Sequence, residues 1–287
     1  MADSAVNPHN TARAKLRRAM LRAERLATQH LRTKETQAMP DAAIQIVAHR
    51  GNKSVTPENT LPAFTAAIAA RADWIEMDVV LSKDGVAMVI HDETLNGTTS
   101  GHGKVGDFSA AQIKLLDAGG HFSPAFAGTT VPTFAEFAAL LAGSRRVQLL
   151  LEFKGDWSAT EVAGVVAIAE AHGLRNRTVL QSFNPVTVLS LFEAAPKWRR
   201  GILTYGDYDG LFELCAKVGS VMLNPDILEV AKDPTLIAKI HGAGMQAMVW
   251  TANDLDHWEL LIELGADGLI TDRPHFLAGW LTAKGLR

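Results

Sequence analysis

Glu76 and Asp78 stand two apart in the run Trp74-Ile75-Glu76-Met77-Asp78, and Glu152 and Lys154 repeat that spacing after Leu149-Leu150-Leu151. In an extended chain the side chains of residues i and i+2 point to the same side, so each pair projects together. Three carboxylates converging from two strands repel one another and are costly to bury unless a cation joins them. An all-oxygen donor set suits a hard divalent ion, Mg²⁺ or Ca²⁺, whereas zinc favours cysteine or clustered histidine. The competing reading is that these acids form structural ion pairs with Arg50 and Lys154; the shared same-side spacing at strand ends favours the metal. Of ten histidines, His49 directly precedes Arg50-Gly51 and His91 directly precedes Asp92. Two imidazoles beside a metal could act as general acid and base in phosphodiester cleavage. Arg50 and Lys154 would then hold the phosphate oxygens.

Such groups need strands to carry them. Short β-like runs are expected at Ile44 to Ala48, Asp73 to Val80, Val86 to Ile90, Val147 to Phe153, Thr178 to Ser182, Gly201 to Thr204, Ser220 to Leu223, Met245 to Trp250 and Gly268 to Thr271. Helical runs separate them, at Thr60 to Arg71, Phe134 to Leu141, Ala159 to His172, Pro185 to Ala194, Leu211 to Val218, Thr235 to Ala243, Leu255 to Leu264 and His275 to Ala283. Only Leu81-Ser82-Lys83-Asp84-Gly85 joins Val80 to Val86, too short for a parallel crossover, so that pair must be a hairpin. Removing the hairpin arm leaves eight strands in βα alternation, the number that closes an α/β barrel. A doubly wound open sheet is the alternative. Residues 91–132, rich in Gly, Thr and Ser with one short helix near Ser109 to Leu116, read as an insertion on the catalytic face. Asn59, in Pro57-Glu58-Asn59-Thr60, is a candidate N-cap. Trp250, at the end of the seventh barrel strand, and Phe183 could pack against substrate carbons or be ordinary core and rim residues, and Gln181 shares that ambiguity.

With 287 residues, 47% of them hydrophobic and 21% charged, the chain has the composition of a globular protein rather than of a disordered or fibrous one. No window of about 18 apolar residues suggests a membrane span. The single cysteine, Cys215, cannot form an internal disulfide, so a cytoplasmic location is expected. The formal charge of −3 conceals an asymmetry: residues 11–34 hold eight Lys and Arg against Glu24. That basic arm, residues 1–40, could be partly helical. Its readings are a solvated or partner-packed helix, a surface making weak contact with an anionic membrane or nucleic acid, and an Arg-rich presequence. Nucleic-acid binding by the acidic remainder is not expected. Gly101-His102-Gly103-Lys104-Val105-Gly106 matches a dinucleotide fingerprint in letters only, because it does not directly follow a strand.

Taken together, His49-Arg50-Gly51, Pro57-Glu58-Asn59-Thr60, Glu76-x-Asp78, Leu81-Ser82-Lys83-Asp84-Gly85, His91-Asp92, Glu152-Phe153-Lys154, Gln181-Ser182-Phe183, Trp250-Thr251-x-Asn253 and Thr271-Asp272-x-Pro274 resemble the glycerophosphodiester phosphodiesterase family, closest to its soluble cytoplasmic members. The resemblance runs from Ile44 to about Ala283. It implies an α/β fold, a TIM (β/α)8 barrel over residues 44–287 with a small insertion after the second barrel strand. It also implies a divalent metal on Glu76, Asp78 and Glu152, His49 and His91 as acid and base, and a small-molecule glycerophosphodiester cut to glycerol 3-phosphate and an alcohol. Alternatives are a lipid-active phosphodiesterase of lysophospholipase D or sphingomyelinase D type, and an inactive barrel kept as a binding module. One departure is visible: many members read Leu-x-Arg-Thr-Thr where this chain has Leu95-Asn96-Gly97-Thr98-Thr99. The basic arm lies outside the resemblance.

Overall fold

The computed structural model describes residues 43–206 and 209–287; the basic arm expected over residues 1–40 lies outside them. One sheet contains β1 (Gln45–His49), β2 (Trp74–Leu81), β3 (Ala87–Val89), β4 (Gln148–Phe153), β5 (Thr178–Ser182), β6 (Arg199–Thr204), β7 (Met222–Pro225), β8 (Met248–Val249) and β9 (Gly268–Thr271). The helices are α1 (Leu61–Ala69), α2 (Ala110–Ile113), α3 (Phe134–Ala142), α4 (Ala159–Ala171), α5 (Pro185–Ala194), α6 (Leu211–Val218), α7 (Ile227–Lys232), α8 (Leu236–Gly242), α9 (Leu255–Glu263) and α10 (Pro274–Ala283).

The strands run in the order β7-β6-β5-β4-β2-β1-β9-β8, with β3 antiparallel on β2. Parallel bridges Met222–Gln246 and Asp226–Trp250 close the circle between β7 and β8. Backbone bonds from Leu223 N to Gln246 O (3.0 Å) and from Trp250 N to Pro225 O (3.1 Å) hold that seam. The result is a TIM (β/α)8 barrel; a doubly wound open sheet would have left β7 and β8 as edges with unpaired backbone groups.

Two expected strands differ at this seam. The run Met245 to Trp250 yields only the two-residue β8, because Met248 N donates to the Asn224 side-chain Oδ1 at 3.0 Å in place of a backbone carbonyl. The run expected at Ser220 to Leu223 shifts to Met222–Pro225. Helix α7 was not expected; Asp226 caps it by accepting from Leu228 N at 2.6 Å. Asn59 is not a helix cap either. Thr60 caps α1, its Oγ1 accepting from Ala63 N at 3.3 Å, and Pro62 fits the first turn, where no intrahelical donor is needed.

The two-residue period of the strands divides the core. Ile46, Ala48, Ile75, Met77, Leu149 and Leu151 face outward onto the helices. Val47, Trp74, Leu150, Val179, Met222, Met248 and Ile270 point inward and pack together as an apolar barrel floor. Burying each such side chain contributes about 1.5–3 kcal/mol. Phe64 of α1 meets Phe137 of α3 edge to face, 4.6 Å between centroids. The segment after β3 has its own small core, in which Ile90, Leu95, Val105, Ile113 and Val131 pack on Val80 and Met88 of the hairpin.

Candidate active site

Two residues beyond the apolar floor, the inward positions become polar: His49, Glu76, Glu152, Gln181, Asn224, Trp250 and Asp272 stand two after Val47, Trp74, Leu150, Val179, Met222, Met248 and Ile270. These are the C-terminal ends of the strands, the face on which barrels of this class keep their chemistry. The chain leaves β1 through two consecutive left-handed residues, Arg50 (φ 54) and Gly51 (φ 83). A Cβ at Gly51 would lie 2.7 Å from the Ala63 backbone, so only glycine lets this turn sit against α1. The turn aims Arg50 N at Glu76 Oε2, 3.0 Å away.

Glu76, Asp78 and Glu152 are all buried, and one oxygen of each lies within 4.8 Å of the others. Two cations meet these three acids. Arg50 Nε is 3.4 Å from Asp78 Oδ2, and Lys154 Nζ is 2.7 Å from Glu152 Oε1. The ion pairs expected as the competing reading therefore exist, but they leave the cluster short of positive charge. Burial, followed by the neighbouring Asp78 and Glu152 charges, pushes the Glu76 carboxyl well above its ordinary range. Burial and Asp78 push Glu152 up to about 8. Burial also acts to raise Asp78, but Arg50, His91 and Lys154 outweigh it and hold that group below its usual value. A deeply buried, all-oxygen triad short of cations fits a hard divalent ion.

Asn59, itself in a left-handed conformation (φ 54), donates from Nδ2 to Asp78 Oδ2 at 2.9 Å. Its part is thus in the site rather than at the helix end. Arg50 is held from the far side by Glu58, Nη1 to Oε1 at 2.7 Å.

The two histidines reach the cleft from different elements, His49 from the end of β1 and His91 from just after β3. His49 Nδ1 and Asp272 Oδ1 are 2.6 Å apart, and Asp272 is gripped in turn by Asn253, whose Nδ2 donates to Oδ2 at 2.8 Å. His91, just after β3, places Nδ1 2.7 Å from Asp92 Oδ1 and Nε2 3.1 Å from Lys154 Nζ. Burial lowers the pKa of both imidazoles. At Gly97, where the resemblance would place arginine, a Cβ would stand 3.1 Å from Asp92 Oδ2, so a side chain there would press on the carboxylate that holds His91.

Asp272, Asn253 and Glu58 carry no role in the sequence beyond their places in the motifs, and Asn59 only that of a helix cap. The signal for Asp272 was available: it continues the inward parity of Gly268 and Ile270.

Phe183 and Trp250 form an aromatic wall, edge to face at 5.3 Å, and Lys154 Nζ lies 5.4 Å from the Phe183 ring centroid. Trp250 Nε1 donates to Asn224 O at 2.9 Å. His49, Arg50, Glu76, His91, Glu152, Lys154, Gln181, Phe183 and Trp250 thus line one cleft of about 90 Å³, with Asp78 beneath Arg50. A larger cleft of about 530 Å³, lined by Leu255, Trp258, Arg273, Phe276 and Trp280, lies between α9 and α10. Among the described residues, only Glu76, Asp78 and Glu152 form a cluster able to hold a metal, which places the chemistry in the smaller cleft.

A family model described as the glycerophosphoryl diester phosphodiesterase family matches residues 49–276. A glycerophosphodiester phosphodiesterase from Caldanaerobacter subterraneus is 34% identical over 243 residues, 84% of this chain and 98% of that protein. The crystal structure of a glycerophosphodiester phosphodiesterase from Agrobacterium tumefaciens is similar with a TM-score of 0.72 and 32% identity, covering 82% of this chain and 99% of that one. A phosphodiesterase from Oleispira antarctica, solved in complex with the product sn-glycerol-3-phosphate, is similar with a TM-score of 0.78 and 26% identity, covering 84% of this chain and 97% of that one.

Proposed function

Because the chain belongs to the glycerophosphoryl diester phosphodiesterase family and is an enzyme of that activity, we propose that it cleaves deacylated phospholipid head groups to glycerol 3-phosphate and an alcohol with the help of Mg²⁺ or Ca²⁺. The observation that carries this reading is the juxtaposition of three buried carboxylates with His49 and His91 around one cleft. The product bound in the Oleispira relative supports glycerol 3-phosphate as the product here.

In this reading Glu76, Asp78 and Glu152 hold the ion, which would polarise the phosphoryl group and offset its charge. Arg50 and Lys154 orient the phosphate oxygens; each already contacts the acid cluster and stands at the cleft. Asp272 fixes Nδ1 of His49, directing Nε2 to exchange protons with substrate. His91, held by Asp92, supplies the second proton-transfer group. Phe183 and Trp250 present an apolar wall to the glycerol carbons or the alcohol. A cytoplasmic setting belongs to the same proposal, supported by the single, buried and free Cys215.

The test is turnover of a panel of glycerophosphodiesters with each metal, reading glycerol 3-phosphate release. A second reading, a lipid-active phosphodiesterase of lysophospholipase D or sphingomyelinase D type, is favoured by exposed apolar residues on the same end of the barrel. Val186, Leu228, Leu255 and Phe276 lie in the first turns of α5, α7, α9 and α10. Turnover of micellar lysophospholipid with soluble diesters left uncut would select that reading.

A further inference from the structure

Gln181 is fully buried on β5, and its Nε2 has no acceptor among the described residues although the residue lines the catalytic cleft. Leaving a buried donor unpaired is costly, which makes it a candidate for a bound ligand's acceptor. The orientation of the amide follows from a chain of bonds that begins at a backbone group. Met248 N can only donate, and its partner at 3.0 Å is therefore the carbonyl end of Asn224, Oδ1. The other end of Asn224 is then the amide nitrogen, Nδ2, which stands 2.9 Å from Gln181 and requires the Gln181 oxygen to accept. What remains unpaired on this cleft-lining residue is Nε2, a buried donor. Gly201, the register partner of Gln181 on β6, has no side chain to intervene between β5 and β7.

The β7–β8 seam thereby sets the polarity of the site. Met248 lacks a backbone acceptor there, Asn224 supplies one, and the consequence is carried across β6 to the cleft. With Oε1 engaged, Gln181 is a poor metal ligand despite being the register partner of Glu152. Its free amide suits an anionic oxygen. We infer that Gln181 Nε2 donates to a phosphoryl oxygen of the bound diester and that Asn224 is the positioning residue that holds this donor outward. The inference rests on the phosphodiesterase reading of the site.

The test is a double-mutant cycle in the full-length, metal-loaded protein, with kcat and KM measured on glycerophosphocholine. Gln181→Met keeps the volume and removes the donor; kcat/KM should fall roughly 10- to 100-fold, the range for losing a hydrogen bond to a charged group. Asn224→Leu should cause a loss of similar size. The double variant should fall no more than about 3-fold below Gln181→Met alone, because Asn224 acts through Gln181. Losses that multiply would overturn the positioning role, and a Gln181→Met enzyme within about 2-fold of the parent would overturn the donor role.

Since Asn224→Leu also removes the acceptor of Met248 N and could impair folding, a second readout uses the unaltered protein. Glutamine-labelled ¹⁵N spectra titrated with inorganic phosphate should shift the Gln181 side-chain amide pair, and no shift would count against the inference. This arm separates the two failures: absence of diester turnover by the parent protein sinks the phosphodiesterase reading, while the phosphate titration still tests the donor.

Discussion

His49 and Asp272, 223 residues apart in sequence, meet at 2.6 Å because β1 and β9 are adjacent in the closed barrel. Burial acts to raise Asp272, but the hydrogen bond and charge of His49, with Lys53 and Asn253, hold its carboxyl down at about 2. A carboxyl whose folded pKa is depressed stabilises the fold above its unfolded pKa, and that contribution is lost as pH falls through the folded value. Asp272→Asn should therefore lower unfolding stability at pH 7 by about 2 kcal/mol, and the difference from the parent should shrink between pH 4 and pH 2. Urea titrations at pH 7 and pH 3 check this. The same variant should lower kcat at least about 10-fold through loss of the His49 orientation.

Thorough chelation should abolish turnover, and Mg²⁺ or Ca²⁺ should restore it. Glu152→Gln should weaken metal affinity while leaving the chelated protein at pH 7 as stable as the parent or more so, since it removes one member of a crowded acid cluster whose carboxyl is pushed up to about 8. Asp78→Asn should cost stability instead, because Arg50 and Lys154 keep Asp78 ionised. Calorimetric metal binding and melting temperatures measure both variants.

Replacing His49 or His91 by Ala should each reduce kcat by roughly 10²- to 10⁴-fold. The pH profile of kcat/KM should be bell-shaped, and its acidic limb should lie below pH 6.5, because burial lowers both imidazoles from that value. A nearby divalent cation pushes in the same direction. A His91→Ala enzyme with near-normal kcat would make that histidine structural.

Gly51→Ala tests the turn that carries His49 and Arg50 into place. Its added Cβ, at a φ of 83, would lie 2.7 Å from both the carbonyl carbon and the Cβ of Ala63, and neither atom is the end of a flexible side chain. The expected cost is about 1–3 kcal/mol of strain, together with a loss of kcat as Arg50 moves off Glu76. Thermal melts and steady-state kinetics read the two effects separately.

Deleting residues 1–40 should leave turnover of a soluble diester within about 3-fold of the full chain, well under the factor of ten that 1.4 kcal/mol represents, since every residue placed in the site follows Gln45. Selective loss of binding to anionic vesicles would assign the basic arm to a membrane.

Much of this molecule is written locally. The i and i+2 spacing of Glu76 with Asp78 puts two acids on one side of a strand wherever that strand packs, and the short Leu81–Gly85 link forces a hairpin. Strand number and βα alternation then favour a closed barrel, because an amphipathic layer must bury its face and a circle leaves no edge. What the linear pattern could not contain is which ends meet. Asn59 looks like a helix cap in sequence and binds Asp78 in the fold; Lys154 is expected either at the phosphate or paired with the acids, and its contact with His91 arises only in the fold. His49 finds Asp272, and Met248 finds Asn224, only after the first strand has closed on the last and β7 on β8. Side-chain direction follows from local backbone geometry, whereas partnership depends on register between strands distant in sequence, and register is settled only when the whole sheet closes.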